Sequence, residues 1–130
     1  MTGFLLDTNV LIFSLAAPER IPQPIRVVLE AETVYISAVS YWEILLKSMK
    51  GKLEVGDPRV LWDVATQKFA AIPLPLRPEH VAAVFDLPPI HHDPFDRALI
   101  AQAVVEGLTL VTSDGAIPQY RSGRFVPLTI

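Results

Sequence analysis

Four acidic residues stand where apolar runs of this 130-residue chain meet polar turns or the start of a helix. They are Asp7, Glu43, Asp96 and Asp114. Carboxylates near an apolar core repel one another, since two unit charges about 4 Å apart interact by roughly 4 kcal/mol at an effective dielectric of about 20. If the fold gathers these acids, a divalent cation is the simplest compensation. Ligand sets made only of oxygen suit Mg²⁺ or Mn²⁺ better than zinc.

Two of the acids follow strand-like runs. Asp7 comes directly after the apolar run 4–6 and is followed by Thr8 and Asn9. A helix N-cap or an Asx turn explains one polar residue at such a position, but three are more than a cap needs. Asp114 follows the run 108–112 and precedes a glycine, as in ordinary turns. Each motif alone is therefore compatible with a structural role as well as with a ligand role.

Glu43 is predicted to lie in the first turn of a helix that Gly51 ends. Ser40 is the expected N-cap of this helix, and the spacing of Ser40 and Glu43 is that of a capping box. Glu43 also precedes Lys47 by four residues, which favours an ion pair on one helix face. For Glu43 by itself, the structural interpretation is stronger than the catalytic one.

The segment 93–97 predicts another helix start. Asp93 is the expected N-cap, Pro94 the first helical residue, and Asp96 lies in the first turn. The helix dipole favours acids there by about 0.3–1 kcal/mol each. Capping explains one acid well, but not a second acid with Arg97 beside it. Arg97 is expected either to pair with an acid or to steady a phosphate.

Strand-like runs alternate with helical stretches along the chain. Strands are expected at 4–6, 34–36, 71–74 and 108–112, with a last edge strand at 125–127; helices are expected at about 9–16, from Pro22, and at about 40–50, 58–69, 78–86, 94–106 and 115–120. This alternation predicts a single α/β domain, residues 1–130, whose central, mostly parallel sheet of about four to five strands is flanked by helices. Ligands of such sheets bind beyond the carboxyl ends of the strands, where the four carboxylates can meet.

Composition supports a folded protein and excludes several kinds of site. Hydrophobic residues make up 51% of the chain and charged residues 19%, which suits an apolar core and argues against disorder. There is no cysteine, so disulfides, thiolate zinc sites and cysteine nucleophiles are excluded. His91 and His92 stand in a proline-rich loop and lack the paired spacing of a zinc site.

The net charge of −3 bears on any nucleic-acid partner, because proteins that hold nucleic acid by electrostatics alone are usually basic. An RNA-binding role would need a bound metal or a local basic surface, and the densest basic stretch is 47–52, which also fits a solvated helix end. No apolar stretch approaches the roughly 20 residues that span a bilayer, and residues 1–7 do not have the pattern of a signal peptide. We expect a cytoplasmic protein without a membrane segment.

The order of these segments resembles the PIN-domain family, and within it the VapC-type toxins of bacterial toxin–antitoxin pairs. The similar segments are Leu-Leu-Asp-Thr-Asn-Val-Leu-Ile at 5–12, Ser-Tyr-Trp-Glu-Ile at 40–44, His-Asp-Pro-Phe-Asp-Arg-Ala-Leu-Ile-Ala-Gln-Ala at 92–103 and Thr-Ser-Asp at 112–114. They cover nearly the whole chain in order and at compatible spacing. No single segment would suffice, but the set is specific.

The resemblance implies a metal-dependent endoribonuclease that hydrolyses RNA phosphodiester bonds by an in-line water. Asp7, Asp96 and Asp114 would bind Mg²⁺ or Mn²⁺ directly, and Glu43 would bind a second metal or orient the water. The supporting residues would be Asn9, Thr112 and Asp93, and the RNA-binding residues Lys47, Lys50 and Arg97. A VapB-like antitoxin would neutralise the protein, and the family suggests a homodimer.

Two other functions fit parts of the pattern. A Mg²⁺-dependent phosphatase or phosphotransferase would use Asp7 as an aspartyl nucleophile, although such sites usually carry a second aspartate where Asn9 stands. A non-catalytic binding module would use the acids to receive an arginine of a partner. Covalent phosphorylation of Asp7 would favour the first function, and lack of metal affinity the second.

Overall fold

A sheet of five parallel strands forms the centre of the protein in a computed structural model that describes residues 2–130. The strands are β1 Phe4–Leu6, β2 Val34–Ser37, β3 Ile72–Leu74, β4 Thr109–Thr112 and β5 Leu128–Thr129. Their order is β3-β2-β1-β4-β5, and every neighbouring pair is parallel. The predicted parallel α/β sheet is confirmed. Met1, which belongs to the expected domain 1–130, lies outside the described residues.

Helices connect the strands and cover both faces of the sheet. They are α1 Thr8–Ala16, α2 Gln23–Ala31, α3 Ala38–Met49, α4 Pro58–Phe69, α5 Pro78–Val84 and α6 Pro94–Glu106, with short 3-10 turns at Pro18–Arg20 and Ile117–Tyr120. Within residues 2–130, no helix is both long enough and apolar enough to cross a bilayer.

The alternation of side chains along each strand divides the core into two layers. Leu5 and Leu110 pack in one apolar cluster together with Leu99 of α6. Leu6 and Val111, their neighbours in sequence, pack in a second cluster, which is completed by residues of α1, α2, α3 and α4. Because successive strand residues point to opposite faces, apolar strands of this kind have to be covered on both sides.

The start and end of α6 follow from its sequence. The carboxylate of Asp93 accepts hydrogen bonds from the backbone N–H groups of Phe95 (2.9 Å) and Asp96 (3.3 Å), and Pro94 occupies the first turn. Gly107 ends the helix in the left-handed conformation with φ of 67°. The predicted cap at Asp93 and end at Gly107 are both confirmed, and they place Asp96 in the first turn.

The predicted start of α3 is wrong. The helix begins at Ala38, and its N-cap is Ser37, whose hydroxyl accepts a hydrogen bond from the backbone N–H of Val39 at 2.9 Å. Strand β2 runs into α3 without a loop, so the serine at the end of the strand is already placed to cap the helix. Ser40 is a buried helical residue, the expected capping box does not form, and Glu43 lies in the second turn.

The predicted edge strand at 125–127 is also wrong. Phe125 is buried in the core and makes an isolated antiparallel bridge with Ser122, while β5 begins at Leu128 and pairs with β4. Pro127 has no backbone N–H and cannot donate to a strand ladder, so strand pairing with β4 begins after it, at Leu128.

Candidate active site

The switch point of the sheet lies between β1 and β4. From β1 the chain builds the sheet outward through β2 and β3, and then returns to the other side of β1 to add β4 and β5. Asp7 directly follows β1, and Asp114 comes two residues after β4. Both acids therefore stand at the carboxyl ends of adjacent parallel strands, where ligands of open α/β sheets bind.

Asp7 is held from both strands. Its Oδ1 accepts the backbone N–H of Val10 at 2.8 Å as the N-cap of α1, and its Oδ2 accepts that of Ser113 at 3.4 Å. Burial raises the pKa of this carboxyl, since only 2% of Asp7 is exposed; the Thr112 hydroxyl and the two backbone donors oppose the rise, and the charge of Asp114 adds to it. Capping and ligand binding do not compete here, because the cap fixes the carboxylate at the switch point.

Thr112 connects two of the acids. Its hydroxyl accepts the backbone N–H of Asp114 at 3.0 Å and makes a side-chain hydrogen bond with Asp7. Asp114 in turn accepts the backbone N–H of Ala116 at 2.8 Å. Thr112 is fully buried, so this arrangement is rigid, in keeping with the supporting position predicted for it.

Asp96 has the most perturbed carboxyl of the site. Its pKa is raised to about 8, first by burial, then by the charge of Asp93, by the hydrogen bond and charge of Asp114, and by the charge of Glu43. A carboxyl group behaves in this way when acids crowd together without enough positive charge. The four predicted acids are thus brought into one electrostatically coupled cluster.

Glu43 lies at the side of this cluster with partners of its own. Its Oε1 accepts the hydroxyl of Thr8 at 2.5 Å, and its Oε2 is 2.9 Å from the Nζ of Lys47. The Thr8 hydroxyl is also 3.1 Å from the hydroxyl of Ser40. Thr8 and Ser40 were not predicted as site residues; the run of three polar residues after β1 was the only signal for Thr8.

Replacing Thr8 by valine is expected to remove the hydroxyl that holds Glu43 while keeping the size and the β-branch of the side chain. Partners that orient functional carboxylates typically change metal affinity or activity about 10–100-fold when they are lost. We therefore expect the RNA cleavage that the family resemblance implies to fall by at least about 10-fold in Thr8→Val. The control is Thr66→Val on α4, whose hydroxyl donates only to the carbonyl of Trp62. Equal activity of Thr8→Val and wild type would contradict this role.

A histidine also reaches the cluster. The Nε2 of His91 is 3.3 Å from the Oδ2 of Asp96, and ligand atoms of His91, Asp96 and Asp114 all lie within 4.8 Å of one another. His91 comes from the irregular loop before α6, and its sequence context gave no sign of this contact.

Arg97 donates hydrogen bonds to four acceptors within the protein. Its Nη1 donates to the carbonyl of Pro88 (2.8 Å) and to the Tyr120 hydroxyl (3.0 Å), and its Nη2 donates to the carbonyls of Val84 (3.2 Å) and Leu87 (3.4 Å). The terminal N–H groups of the guanidinium are thus used by protein acceptors. These hydrogen bonds hold the loop before α6 in place, and the RNA contact predicted for Arg97 stays a prediction.

Three other predicted residues are at least partly exposed. Asn9, a predicted supporting residue, is exposed in the first turn of α1, and its role stays a prediction. Lys47 and Lys50 line a groove of about 290 Å³ together with Lys52, Glu43 and residues 93–95. The groove places these lysines beside the carboxylates of Glu43 and Asp93.

The donor set of the cluster fits a divalent cation. Asp7, Asp96 and Asp114 offer carboxylate oxygens, which are hard ligands preferred by Mg²⁺ and Mn²⁺. Burial and then the neighbouring acids disfavour the charged form of Asp96, whose pKa is raised, and a bound cation would favour that form. The same residue types would be poor partners for a large uncharged ligand.

The family model for the PIN domain matches residues 4–122. The chain belongs to the PIN-domain family. This PIN domain is 28% identical over 132 residues to Ribonuclease VapC22 of Mycobacterium tuberculosis, in a match that covers 100% of the chain and 99% of that protein.

Solved structures share the fold of this PIN domain. VapBC2 from Rickettsia felis, bound to a DNA fragment from its promoter, matches with a TM-score of 0.74 and 14% identity over 98% of both chains. FitAcB from Neisseria gonorrhoeae matches with a TM-score of 0.61 and 25% identity, over 88% of this chain and 90% of that one. At 14% identity, the first likeness shows the fold alone.

Proposed function

We propose that this PIN domain is a metal-dependent endoribonuclease of the VapC type, which hydrolyses RNA phosphodiester bonds. The observation that carries the proposal is the acidic cluster at the switch point, where Asp114 interacts with both Asp7 and Asp96 and the pKa of Asp96 is raised to about 8. The similarity to a protein named as a ribonuclease, along the full chain, supports the choice of RNA as substrate.

The acids have different proposed roles. Mg²⁺ or Mn²⁺, when bound, would polarise the phosphate and activate a water for in-line attack. Asp7, Asp96 and Asp114 would hold the ion through carboxylate oxygens. Glu43 already has Lys47 as a cationic partner, and we assign to it the orientation of the attacking water rather than a metal bond. Asp93 serves as the N-cap of α6.

RNA would approach along the lysine groove. The protein carries a net charge of −3, so attraction of an anionic backbone has to be local. Lys50 and Lys52 are exposed on the groove beside the acids, while Lys47 is held by Glu43. These two free lysines are the best candidates for phosphate contacts.

Replacing Lys50 and Lys52 together by glutamine is expected to weaken RNA binding and its salt dependence. Each contact with a single strand contributes about 0.7 to the slope of log K against log salt, so the slope should become shallower by up to about 1.4. Fluorescence anisotropy with a short single-stranded RNA, on an Asp7→Asn background that prevents cleavage, measures the slope. Arg124→Gln, an exposed cation in the turn at 122–125, is the control. An unchanged slope in the double variant would remove these lysines from the RNA path.

We also propose a VapB-like antitoxin and a second copy of the chain as protein partners. Similar solved structures include a member of the VapBC family of toxin–antitoxin systems from Mycobacterium tuberculosis and a toxin–antitoxin complex from Klebsiella pneumoniae. Large apolar side chains are exposed on α3 and at the end of α5, including Trp42 (56%) and Phe85 (91%), and such patches commonly mark protein interfaces. A toxin that acts on cellular RNA works in the cytoplasm, which is the location we propose.

The phosphatase alternative is the weaker one because of the residue two positions after Asp7. Such sites usually carry a second aspartate there, and this chain has the exposed amide of Asn9. A covalent phosphate on Asp7 would restore that function. Absence of any Mg²⁺ or Mn²⁺ affinity would favour the non-catalytic module.

The experiment that tests the proposal is transcriptome-wide mapping of RNA 5′ ends after a brief induced pulse, with wild type compared with Asp96→Asn. We expect new ends at defined positions that depend on Asp96. Identical end profiles in the two strains would contradict an endoribonuclease.

A further inference from the structure

His91 lies between a buried tyrosine and the acidic cluster. Its Nδ1 is 2.7 Å from the hydroxyl oxygen of Tyr120, and its Nε2 is 3.3 Å from the Oδ2 of Asp96. Tyr120 is 4% exposed and packs edge-on against the imidazole, with ring centroids 5.3 Å apart. The imidazole thus bridges the core and the site, and its chemistry depends on which nitrogen carries the proton.

The hydrogen-bond partners of Tyr120 decide which nitrogen of His91 carries the proton. Its oxygen receives the backbone N–H of His91 at 3.1 Å and a guanidinium N–H of Arg97 at 3.0 Å. A phenol oxygen has two lone pairs and one proton, so these two donors use its capacity as an acceptor. Its own proton must go to the remaining neighbours, which are the Nδ1 of His91 at 2.7 Å and the carbonyl of His91 at 3.5 Å.

The shorter contact fixes the direction of the chain of hydrogen bonds. Tyr120 donates to Nδ1, so Nδ1 acts as an acceptor and the imidazole carries its proton on Nε2. The Nε2–H then points at the Oδ2 of Asp96. The sequence of donors runs from Arg97 through Tyr120 and His91 to the carboxylate.

We propose that His91 is a positioning residue that holds Asp96 by donating Nε2–H to its Oδ2, and that it is not a metal ligand. Because its only basic nitrogen, Nδ1, is occupied by Tyr120, the imidazole has no lone pair to offer an ion. The donor contacts Oδ2 alone and limits rotation of the carboxylate. This inference rests on the proposed metal-dependent function.

If His91 were instead a metal ligand, its proton would have to be on the other ring nitrogen. The proximity of His91, Asp96 and Asp114 would also suit three ligands around one ion. In that case Nε2 would need to be unprotonated, with the proton on Nδ1 directed at Tyr120. The metal site would then include a nitrogen ligand, whereas in the proposed arrangement all of its ligands are oxygens.

Long-range ¹H–¹⁵N spectroscopy of the metal-free protein at mildly alkaline pH reads the protonated nitrogen directly. The His91 signals are assigned by their loss in His91→Gln, which distinguishes them from those of His80 and His92. We expect the proton of His91 on Nε2. A proton on Nδ1 would overturn the proposal, and the measurement requires neither activity nor a folded Tyr120 variant.

Two substitutions separate positioning from packing. Glutamine can place an amide N–H near the position of Nε2, whereas the shorter asparagine places it near Nδ1 and cannot reach Asp96. By calorimetry with Mn²⁺, we expect His91→Asn to bind about 10-fold or more weakly and His91→Gln to stay close to wild type. Wild-type affinity in both variants, or an equal loss in both, would overturn the proposal. If the wild type itself does not bind Mn²⁺, the proposed function fails, while the spectrum still decides the hydrogen bond.

Discussion

Asp7→Asn is expected to lower the rate of RNA cleavage by about 1000-fold or more without unfolding the protein. Asparagine is as good an N-cap as aspartate, so the bond to the backbone N–H of Val10 and the start of α1 should be retained. What is lost is a negatively charged ligand at the switch point, together with the 3.4 Å acceptor for the backbone N–H of Ser113. A metal contributes several kcal/mol of transition-state stabilisation, and each 1.36 kcal/mol changes the rate about tenfold.

A matched control for this variant is present in the chain. Asp57 is the N-cap of α4, accepts the backbone N–H of Arg59 at 2.9 Å and precedes a proline, but it is not part of the acidic cluster. Asp57→Asn makes the same chemical change at an ordinary cap. Single-turnover cleavage of a labelled RNA in Mn²⁺ should therefore be normal in Asp57→Asn and nearly absent in Asp7→Asn. Cleavage by Asp7→Asn at the wild-type rate would contradict the account.

Asp96→Asn is expected to stabilise the metal-free protein while it abolishes function. The pKa of Asp96 is about 8 in the folded protein, against 3.8 for an unperturbed aspartate. Between these values the unfolded chain has lost the proton and the folded chain keeps it, so the free energy of unfolding falls as the pH rises. This loss of stability begins near pH 4 and is complete near pH 8. It does not occur in Asp96→Asn, because the amide does not titrate. Asparagine should therefore raise the Tm most at pH 8, by on the order of 5 °C.

Metal should reverse the order of the Tm values of wild type and Asp96→Asn. A ligand present at about 100 times its Kd adds about 2.7 kcal/mol of stability to a protein that binds it only when folded. Mn²⁺ should then raise the Tm of wild type and leave that of Asp96→Asn almost unchanged. Differential scanning fluorimetry at pH 5 and pH 8, with and without Mn²⁺, measures both effects, and the exposed Asp63→Asn on α4 is the control. A metal-free Asp96→Asn that is less stable than wild type at pH 8 would argue against crowding of the acids.

Local patterns were enough to predict most of the fold. The alternation of apolar runs with capped helices predicted the parallel sheet, and Asp93 with Gly107 predicted the limits of α6. The error at the start of α3 arose because two residues could serve as its N-cap. Ser37 and Ser40 are both acceptable caps, and the choice depends on where β2 ends, which is set by its pairing with β1 and β3.

The candidate site was predicted less completely than the fold. The acids could be placed because each follows a strand or begins near the start of a helix, and the ends of parallel strands share one edge. The contacts of Thr8 with Glu43 and of His91 with Tyr120 join residues that are 35 and 29 positions apart, and no local pattern records them. The hydrogen bonds of Arg97 were not predicted for the same reason, since the acceptors Pro88 and Leu87 lie in a loop whose path is set by tertiary packing.

The most direct test of the central claim compares metal binding with catalysis in one titration series. Calorimetry gives the Kd of Mn²⁺ for the wild type, and initial rates of RNA cleavage over the same Mn²⁺ concentrations give the half-saturation point. The account predicts that the two values agree, that chelation by EDTA stops cleavage, and that Asp7→Asn loses both binding and cleavage. Undiminished cleavage in EDTA, or an Asp7→Asn protein that binds Mn²⁺ and cuts RNA like the wild type, would contradict it.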